Sequence, residues 1–354
     1  MSDGRSRGLD VHKSNGESFR SLPAIVDEAN KASEMLKEKT KEDMTSQELV
    51  NFGMTFNEKS DYKMAQEFFN AALEKVETET LSQDEKNVIQ AYCHYGLANC
   101  ERELGRPAEA IEIFKKAQTH IENRKELYDL RYLIARNIGI AYLAIEDYVN
   151  AESQFSQALH VAVETQQVGR IPAVLSYQGL SVVLSGKATD KGFELLEKAR
   201  LLYPKHLREE SLDWAAHRYH MGRAYEAKKN PVDTLHALVE YKEAHRLRMQ
   251  LININKIGIV YFHSRLGDTN AGLGRVYASL GHKDEARKYF SAALDSYEAL
   301  GATKKAETIR QALLSCFNLV SFSLTSRTAS RGKPDELNDQ QALIRTPGYG
   351  VSEK

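Results

Sequence analysis

The stretch LGRVYASLGHKDEARKYF, residues 273–290, decides how this chain is interpreted. Near its start Gly274 stands three residues before Tyr277, and near its end Ala286 stands four residues before Phe290. Residues spaced four apart lie on one stripe of an α-helix. Gly281, between the two patterns, is a residue type that ends helices. The stretch therefore predicts a helix, a tight turn and a second helix that packs closely on the first.

The pattern of the second helix recurs along the chain, with a small residue, a large residue four positions later and an alanine three positions after that. Its copies are Ala65/Phe69/Ala72, Ala110/Phe114/Ala117, Ala151/Phe155/Ala158, the weaker Gly192/Leu196/Ala199, Ala237/Tyr241/Ala244 and Ala286/Phe290/Ala293. The predicted helix stops before these copies are Ser60-Asp61, Gly105-Arg106-Pro107, Glu146-Asp147, Gly186-Lys187, Asn230-Pro231 and Gly281-His282. Six helix–turn–helix units with one spacing pattern indicate a repeat array rather than a globular domain.

These residues resemble the tetratricopeptide repeat family, whose pattern is W-x2-L-G-x2-Y, then A-x3-F, then P. The resemblance covers about residues 45–301. It implies an all-α fold, a right-handed superhelical solenoid of about six repeats with capping helices. The period here is 41–49 residues instead of 34. Such long repeats are similar to those of kinesin light chains, of spindle adaptors that bind G-protein subunits, and of bacterial peptide-sensing regulators.

The chain outside the repeats divides into two predicted capping helices and two polar tails. We expect a disordered tail over 1–20, a capping helix over 21–44, the repeat array over 45–301, a C-terminal capping helix over 302–324 and a disordered tail over 325–354. Residues 251–262 do not fit the repeat and are β-branched. They are interpreted as an extended connection or the distorted start of the sixth unit, with a functional insertion as the alternative.

The C-terminal helix becomes apolar on nearly every side in its second half, which contains Phe317 and Phe322. A capping helix normally keeps a polar outer face. One interpretation is a helix folded back into the last groove. The other is a docking or homodimer surface around Phe317 and Phe322.

Composition excludes several classes of function. The chain carries 48 Lys and Arg against 49 Asp and Glu, a formal net charge of -1. That balance argues against binding to nucleic acid or to an anionic membrane through bulk charge. Three cysteines in 354 residues fit a reducing compartment. Without an apolar signal segment or a predicted transmembrane helix, we expect a cytoplasmic protein that binds neither nucleic acid nor membrane.

The sequence contains no recognisable catalytic or cofactor motif. Cys93 and Cys100 lie two helical turns apart, too far to share a zinc ion, and are interpreted as buried structural thiols. His217 and His220 could meet a metal ion, but no third ligand is identifiable, so helix-surface or packing histidines are the favoured interpretation. We therefore expect no enzymatic activity, no cofactor and no metal site.

The resemblance implies a binding groove on the concave face, lined by the first helix of each unit. The candidate groove residues are Tyr92, Tyr95, Asn99, Arg102, Arg136, Tyr219, Arg223 and Arg275. Asparagine can pair with a peptide backbone, arginine can hold carboxylates, and tyrosine is a rigid anchor. We expect a non-enzymatic scaffold or adaptor that binds a partner peptide containing acidic residues. The alternative is a peptide-responsive regulator whose superhelix changes conformation on binding.

Overall fold

Helices account for almost all of the structure. The computed structural model of the chain describes residues 40–122, 124–204, 211–255 and 263–328. Within these ranges the α-helices are α1 (Ser46–Glu58), α2 (Tyr62–Thr78), α3 (Gln83–Glu103), α4 (Pro107–His120), α5 (Tyr128–Ala144), α6 (Tyr148–Glu164), α7 (Ile171–Ser185), α8 (Thr189–Leu202), α9 (Leu212–Ala227), α10 (Pro231–Asn255), α11 (His263–Ser279), α12 (Lys283–Ala299) and α13 (Thr303–Thr328). No strand occurs among the described residues, and the predicted all-α fold is confirmed.

The first twelve helices form six pairs, which are the six predicted units. α1 packs on α2, α3 on α4, and so on to α11 on α12, and each pair stacks on the next. The first residue of every pair's second-helix motif is buried or sits in the helix contact, as the repeat pattern predicts. Stacking of this kind buries one continuous core because no unit can cover its apolar face alone.

Within a typical unit, the aromatic ring of the second helix lies directly over the glycine of the first. In the third unit, a Cβ atom added at Gly139 would come within 2.7 Å of the Phe155 ring. The same contact joins Gly53 to Phe69 in the first unit. Because glycine has no side chain, the ring can sit against the helix backbone, and Phe155 is completely buried. The paired glycine and aromatic motifs are thus two halves of one contact.

The fourth unit uses a different contact. A Cβ atom added at Gly179 would lie 2.7 Å from the backbone oxygen of Gly192, and one added at Gly192 would lie 2.8 Å from that of Gly179. The two helix backbones therefore touch where the other units place a ring. Leu196 occupies the aromatic position and is completely buried. The weaker fourth copy of the motif lies in its predicted register. Two facing glycines take the place of the contact between a glycine and an aromatic ring.

The turn inside each unit contains one residue with left-handed backbone. Its φ is +82° at Gly105, +70° at Gly186 and +81° at Gly281. Non-glycine residues occupy the same position in the first and third units, with φ of +61° at Ser60 and +63° at Glu146. The predicted helix stops are confirmed at these positions, and in the fifth unit the left-handed residue is Lys229, directly before the predicted Asn230-Pro231 stop.

The C-terminal end of the array returns to the second unit, so the solenoid closes on itself into a ring. The hydroxyl of Ser264 on α11 donates a hydrogen bond to Glu103 at the end of α3. Lys304 of α13 pairs with Glu109 of α4 at 3.5 Å. A single cluster of buried apolar side chains also contains residues of the first two units, the sixth unit and α13. We call the contact of α3 and α4 with α11 and α13 the seam.

The segments outside the repeat pattern differ in part from the prediction. Residues 251–255 form the last part of α10 rather than an extended connection, and Leu251 and Ile252 are buried against Leu266; residues 256–262 lie outside the described residues. α13 ends at Thr328, beyond the predicted boundary at 324. The N-terminal capping helix lies outside the described residues up to residue 39, and 41–43 form a short 3-10 helix.

The first half of α13 packs on the array, where Ala306 and Ile309 are buried. Phe317 and Phe322 belong to the same helix, but their side chains lie outside the described residues. The choice between a folded-back helix and a docking or homodimer surface at these two residues therefore stays a prediction. None of the helices in the described ranges is long and apolar enough to cross a bilayer.

Candidate functional site

The concave face carries three adjoining cavities that form one groove inside the ring. The central cavity has a volume of about 390 Å³. It shares Arg102 and Arg136 with a smaller cavity of about 150 Å³ on one side. On the other side it shares Tyr219 and Arg223 with a cavity of about 680 Å³. A groove built this way offers an extended ligand a continuous path along the first helices.

Seven of the eight predicted groove residues line these cavities. The lining residues are Tyr95, Asn99, Arg102, Arg136, Tyr219, Arg223 and Arg275. Tyr92 lines none of the three and packs instead between apolar side chains of the first units. The register of the repeat pattern therefore placed the groove residues on one face, whereas their ability to bind a peptide stays a prediction.

The central cavity is strongly cationic. Among the described residues its charged lining consists of seven cations and two carboxylates, an excess of five positive charges with His220 neutral. The cations are Arg102, Arg136, Arg223, Arg248, Arg265, Lys304 and Lys305, and the carboxylates are Glu103 and Asp268. The chain as a whole has a net charge of -1. Positive charge is thus concentrated in the middle of the ring.

Two arginines of the central cavity keep donors available. The Nε–H group of Arg136 is buried and has no hydrogen-bond partner in the described part of the chain. Its guanidinium carbon lies 5.9 Å from the centre of the Tyr177 ring. Arg223 is half-buried and makes no ion pair or hydrogen bond with any described residue. Such donors can form paired hydrogen bonds with a carboxylate or a phosphate.

Burial and neighbouring charges shift the pKa values of side chains that line the central cavity. Burial lowers the pKa of Arg248 to about 10. Burial, followed by the positive charges of His217, Arg223, Arg248 and Arg136, holds the pKa of His220 well below its usual range. Burial is the largest cause of both shifts, because a poorly solvated site disfavours the charged state, and neighbouring positive charges add to it at His220.

Arg275 is already paired within the protein. Its guanidinium group donates to both carboxylate oxygens of Glu226, at 2.7 and 3.1 Å. Tyr241 donates a third hydrogen bond to the same carboxylate at 2.6 Å. Burial alone would raise the pKa of Glu226, but the bonds from Arg275 and Tyr241 outweigh burial and lower it. Arg275 therefore joins α9 to α11, and its paired donors are occupied by Glu226.

The narrow end of the groove is polar and largely satisfied. Asn137 donates a hydrogen bond to the Tyr95 hydroxyl at 3.1 Å. Arg102 pairs with Glu103 at 2.8 Å and lies 3.5 Å from the Oδ1 atom of Asn99. Asn99 is buried, with 5% of its surface exposed. At this end the predicted residues line the cavity and also form hydrogen bonds or ion pairs with neighbouring side chains.

The candidate thiols and histidines have structural surroundings. Cys93 and Cys100 are completely buried, as predicted, and burial raises the pKa of both thiols. His217 and His220 are buried, and the Nδ1 atom of each lies within 3 Å of the Ser176 hydroxyl, at 2.9 and 2.8 Å. Among the described residues no group of three His, Cys, Asp or Glu side chains could hold a metal ion.

Sequence reasoning missed four of the seven cations in the central cavity. Arg248 lies on α10, a second helix, and Arg265 lies at the start of α11. Lys304 and Lys305 lie on α13, which belongs to no repeat. The repeat pattern assigns groove residues only at fixed positions of the first helix of each unit. No signal in the repeat pattern indicates that α13 returns to the second unit and completes the cavity.

Comparison with known proteins agrees with the architecture. The family model described as tetratricopeptide repeat matches residues 87–162, and a second model with the same description matches residues 267–300. These ranges contain the second and third units and most of the sixth. No curated protein matches the chain.

Solved structures with a similar fold are recognised at low sequence identity. The apo form of RapI is 14% identical with a TM-score of 0.56, over 79% of this chain and 92% of that one. A Rap protein complexed with competence and sporulation factor is 15% identical with the same TM-score, over 87% and 89%. BtubC from P. vanneervenii is 14% identical over 93% of this chain and 98% of that one. Its TM-score of 0.33 is too low to indicate a shared fold. These likenesses concern the fold alone. The matched models identify tetratricopeptide repeats at residues 87–162 and 267–300, and the six helix pairs with their shared motif extend the same helix–turn–helix architecture along the array.

Proposed function

We propose that the protein is a non-enzymatic interaction protein that binds an extended, acidic segment of a partner protein in the groove inside its ring. The observation that carries this proposal is the continuous row of three cavities, with its excess of positive charge in the middle. A segment crossing the central cavity can present carboxylates to Arg136 and Arg223, which have donors to spare. The structure of a Rap protein complexed with competence and sporulation factor supports the idea that this fold accepts a ligand.

Selection from a displayed library of random peptides tests the proposal directly. We expect selected peptides to be enriched in closely spaced Asp and Glu residues. Arg136→Glu/Arg223→Glu should abolish their binding, because it converts two attractive charges at the centre into repulsive ones.

A matched control is Arg246→Glu, since Arg246 lies on the exposed side of α10 and pairs with Glu243. This variant should bind the selected peptides as the wild type does. Both variants must first give the wild-type circular dichroism spectrum. Selection of peptides without acidic residues, or equal loss of binding in the control, would refute the acidic-segment proposal.

The alternative function is a ligand-responsive regulator, and the seam favours it. The polar contacts that cross it include the hydrogen bond from Ser264 to Glu103 and the ion pair of Lys304 with Glu109. A ligand in the central cavity would touch both sides of the seam and could change how firmly it closes. Small-angle scattering distinguishes the two functions, because a regulator changes its radius of gyration on binding a selected peptide and a passive scaffold does not.

Several expectations accompany this proposal. A cytoplasmic location, the absence of nucleic-acid and membrane partners, and the absence of catalysis fit an interaction protein. A homodimer through the second half of α13 stays a prediction, as does the resemblance of the long repeats to those of kinesin light chains and spindle adaptors.

A further inference from the structure

The central cavity is assembled from helices that are far apart in sequence. Its cations come from α3, α5, α9, α10, α11 and α13, so the positive charges surround the space instead of lining one wall. Lys304 and Lys305 approach from α13, and Arg102 faces them from the second unit across the seam. The cavity therefore exists in this form only when the ring is closed.

The internal carboxylates cannot balance this charge. Glu103 and Asp268 are the two acidic residues of the lining among the described residues, and both are already in use. Glu103 pairs with Arg102 at 2.8 Å, and Asp268 pairs with Lys305 at 3.1 Å. Five cations remain, of which Lys304 pairs with Glu109 outside the lining, and the guanidinium groups of Arg136, Arg223 and Arg248 lie with Arg265 in the same small space.

None of these three arginines makes an ion pair with a described carboxylate, although the charges of Asp213 and Glu226 act on Arg136 and Arg223 from farther away. Arg248 is buried, with 3% of its surface exposed, and donates to the carbonyl of Arg265 and the hydroxyl of Thr269, which are neutral acceptors. Arg136 has a buried donor without a partner, and Arg223 has no ion pair with a described residue. Unbalanced charge in a poorly solvated cavity is costly unless an opposite charge joins it.

We propose that the central cavity is a binding site for a compact polyanion with several phosphate groups, held by Arg136, Arg223 and Arg248 from the middle units and by Lys304 from α13. Guanidinium groups match phosphate oxygens through paired hydrogen bonds, and lysine adds a point charge. The volume of about 390 Å³ lies within the range of small-ligand sites, about 300–1,000 Å³.

A ligand in this position would also hold the ring closed. It would contact the second and third units on one side and α13 on the other, which are the elements that face each other across the seam. Binding to the closed ring alone stabilises that state by mass action. The inference goes beyond the proposed function, since it requires no partner protein.

Isothermal titration with inositol hexakisphosphate tests the site, in buffer with about 150 mM salt to suppress loose association with surface charge. We expect saturable binding of one ligand per chain and a rise in the melting temperature. Arg136→Gln and Arg223→Gln should each weaken binding by about 10-fold or more, the effect of losing one charge-assisted contact. Arg246→Gln, an exposed arginine outside the cavity, should leave the affinity unchanged.

Linear tripolyphosphate forms the second arm of the titration and separates the two sources of clustered phosphate. Tighter binding of the hexakisphosphate identifies an inositol polyphosphate type of ligand, and tighter binding of tripolyphosphate identifies an inorganic polyphosphate type. Hydrogen exchange provides the readout for ring closure, because amides at the start of α13 should exchange more slowly when the ligand is bound.

Absence of saturable binding by either compound overturns the inference, as does a loss of affinity in Arg246→Gln equal to that in Arg223→Gln. Arg223→Lys is the control for a folding defect in Arg223→Gln. It keeps the positive charge and should retain part of the affinity. If the protein selects acidic peptides and binds neither phosphate compound, this inference fails while the proposed function stands. If it binds a phosphate compound and selects no acidic peptide, the proposed function fails and this inference stands.

Discussion

The helix pairs within the units and the seam between α3 and α4 on one side and α11 and α13 on the other differ in the part that charge plays in holding them together. In the third unit, the completely buried ring of Phe155 lies over Gly139, with no charge at the contact. At the seam, the buried carboxylate of Glu103 receives hydrogen bonds from Arg102 and Ser264. The comparison teaches that apolar packing joins the helices of this unit, whereas the seam combines apolar packing with buried charge. Variants of the first kind should be insensitive to pH and salt, and variants of the second kind should not.

Phe155→Ala should produce the largest effect. Truncating this fully buried ring leaves a cavity over Gly139 and should lower the free energy of unfolding by about 3–5 kcal/mol. Urea unfolding monitored by circular dichroism measures the loss. Phe155→Leu refills part of the volume and should lose less. A loss that changed strongly between pH 7 and pH 4 would contradict the description of this contact as apolar, because no charged group takes part in it.

Glu103→Gln should come next, with a loss of about 3 kcal/mol at neutral pH, because it leaves Arg102 without its buried counter-charge. Burial raises the pKa of Glu103, but the charges of Arg102, Arg265 and Lys305 and the bond from Ser264 outweigh burial and lower it to about 2. The measurement is again urea unfolding, repeated across pH.

The pH dependence of this loss has a definite sign. The folded-state pKa of Glu103, about 2, lies below the ordinary value of 4.5, so its charge stabilises the fold fully above about pH 4.5. That contribution disappears as the pH falls from 4.5 towards 2. The difference between wild type and Glu103→Gln should therefore shrink over this interval. A difference that stays constant down to pH 2 would show that the carboxylate contributes through its shape alone.

Gly192→Ala sharpens the comparison on the apolar side. The added Cβ would lie 2.8 Å from the backbone oxygen of Gly179, and a backbone atom cannot move aside as a side chain can. The variant should lose about 1–3 kcal/mol through overpacking. Ala151 occupies the matching position in the third unit, and Ala151→Gly should cost only about 1 kcal/mol or less, through backbone entropy and lost contacts. Thermal unfolding of both variants measures the difference, and equal costs would contradict the backbone contact.

Glu146→Gly should have the smallest effect and the opposite sign. Glu146 adopts φ of +63°, which is unfavourable for a residue with a side chain, whereas the fourth unit has Gly186 at +70° in the same position. Relief of this strain should stabilise the protein by about 1 kcal/mol or less. The reverse change, Gly186→Ala, should destabilise it by about 1 kcal/mol. Differential scanning calorimetry checks both, and a destabilised Glu146→Gly would mean that the Glu146 side chain contributes more than its strain costs.

The repeat pattern predicted the parts of the molecule that depend on local spacing. The glycine and aromatic motifs predicted all six helix pairs, because residues four apart on a helix must share a face. They also placed Arg136, Arg223 and Tyr219 on the concave side. The pattern did not reveal that Arg275 is occupied by Glu226, since that pairing depends on the angle between two neighbouring units.

The extent of curvature was likewise beyond the pattern. Each unit turns the array by a small amount that depends on packing details at every interface, and only their accumulation brings Lys304 to Glu109, 195 residues away along the chain. The four cations missed by sequence reasoning belong to α10, the start of α11 and α13, which meet the groove because of that accumulated rotation.

The amino-acid sequence by itself determined the helices, their pairing and the face that each unit turns inward. These features follow from contacts between residues close in the chain, where helical spacing and the size of a side chain leave few arrangements. The tertiary structure alone decided that the array closes into a ring and that seven cations of the described part of the chain surround one cavity. Closure depends on the sum of many small rotations, and the electrostatic field of a cavity depends on which distant charges that sum brings together.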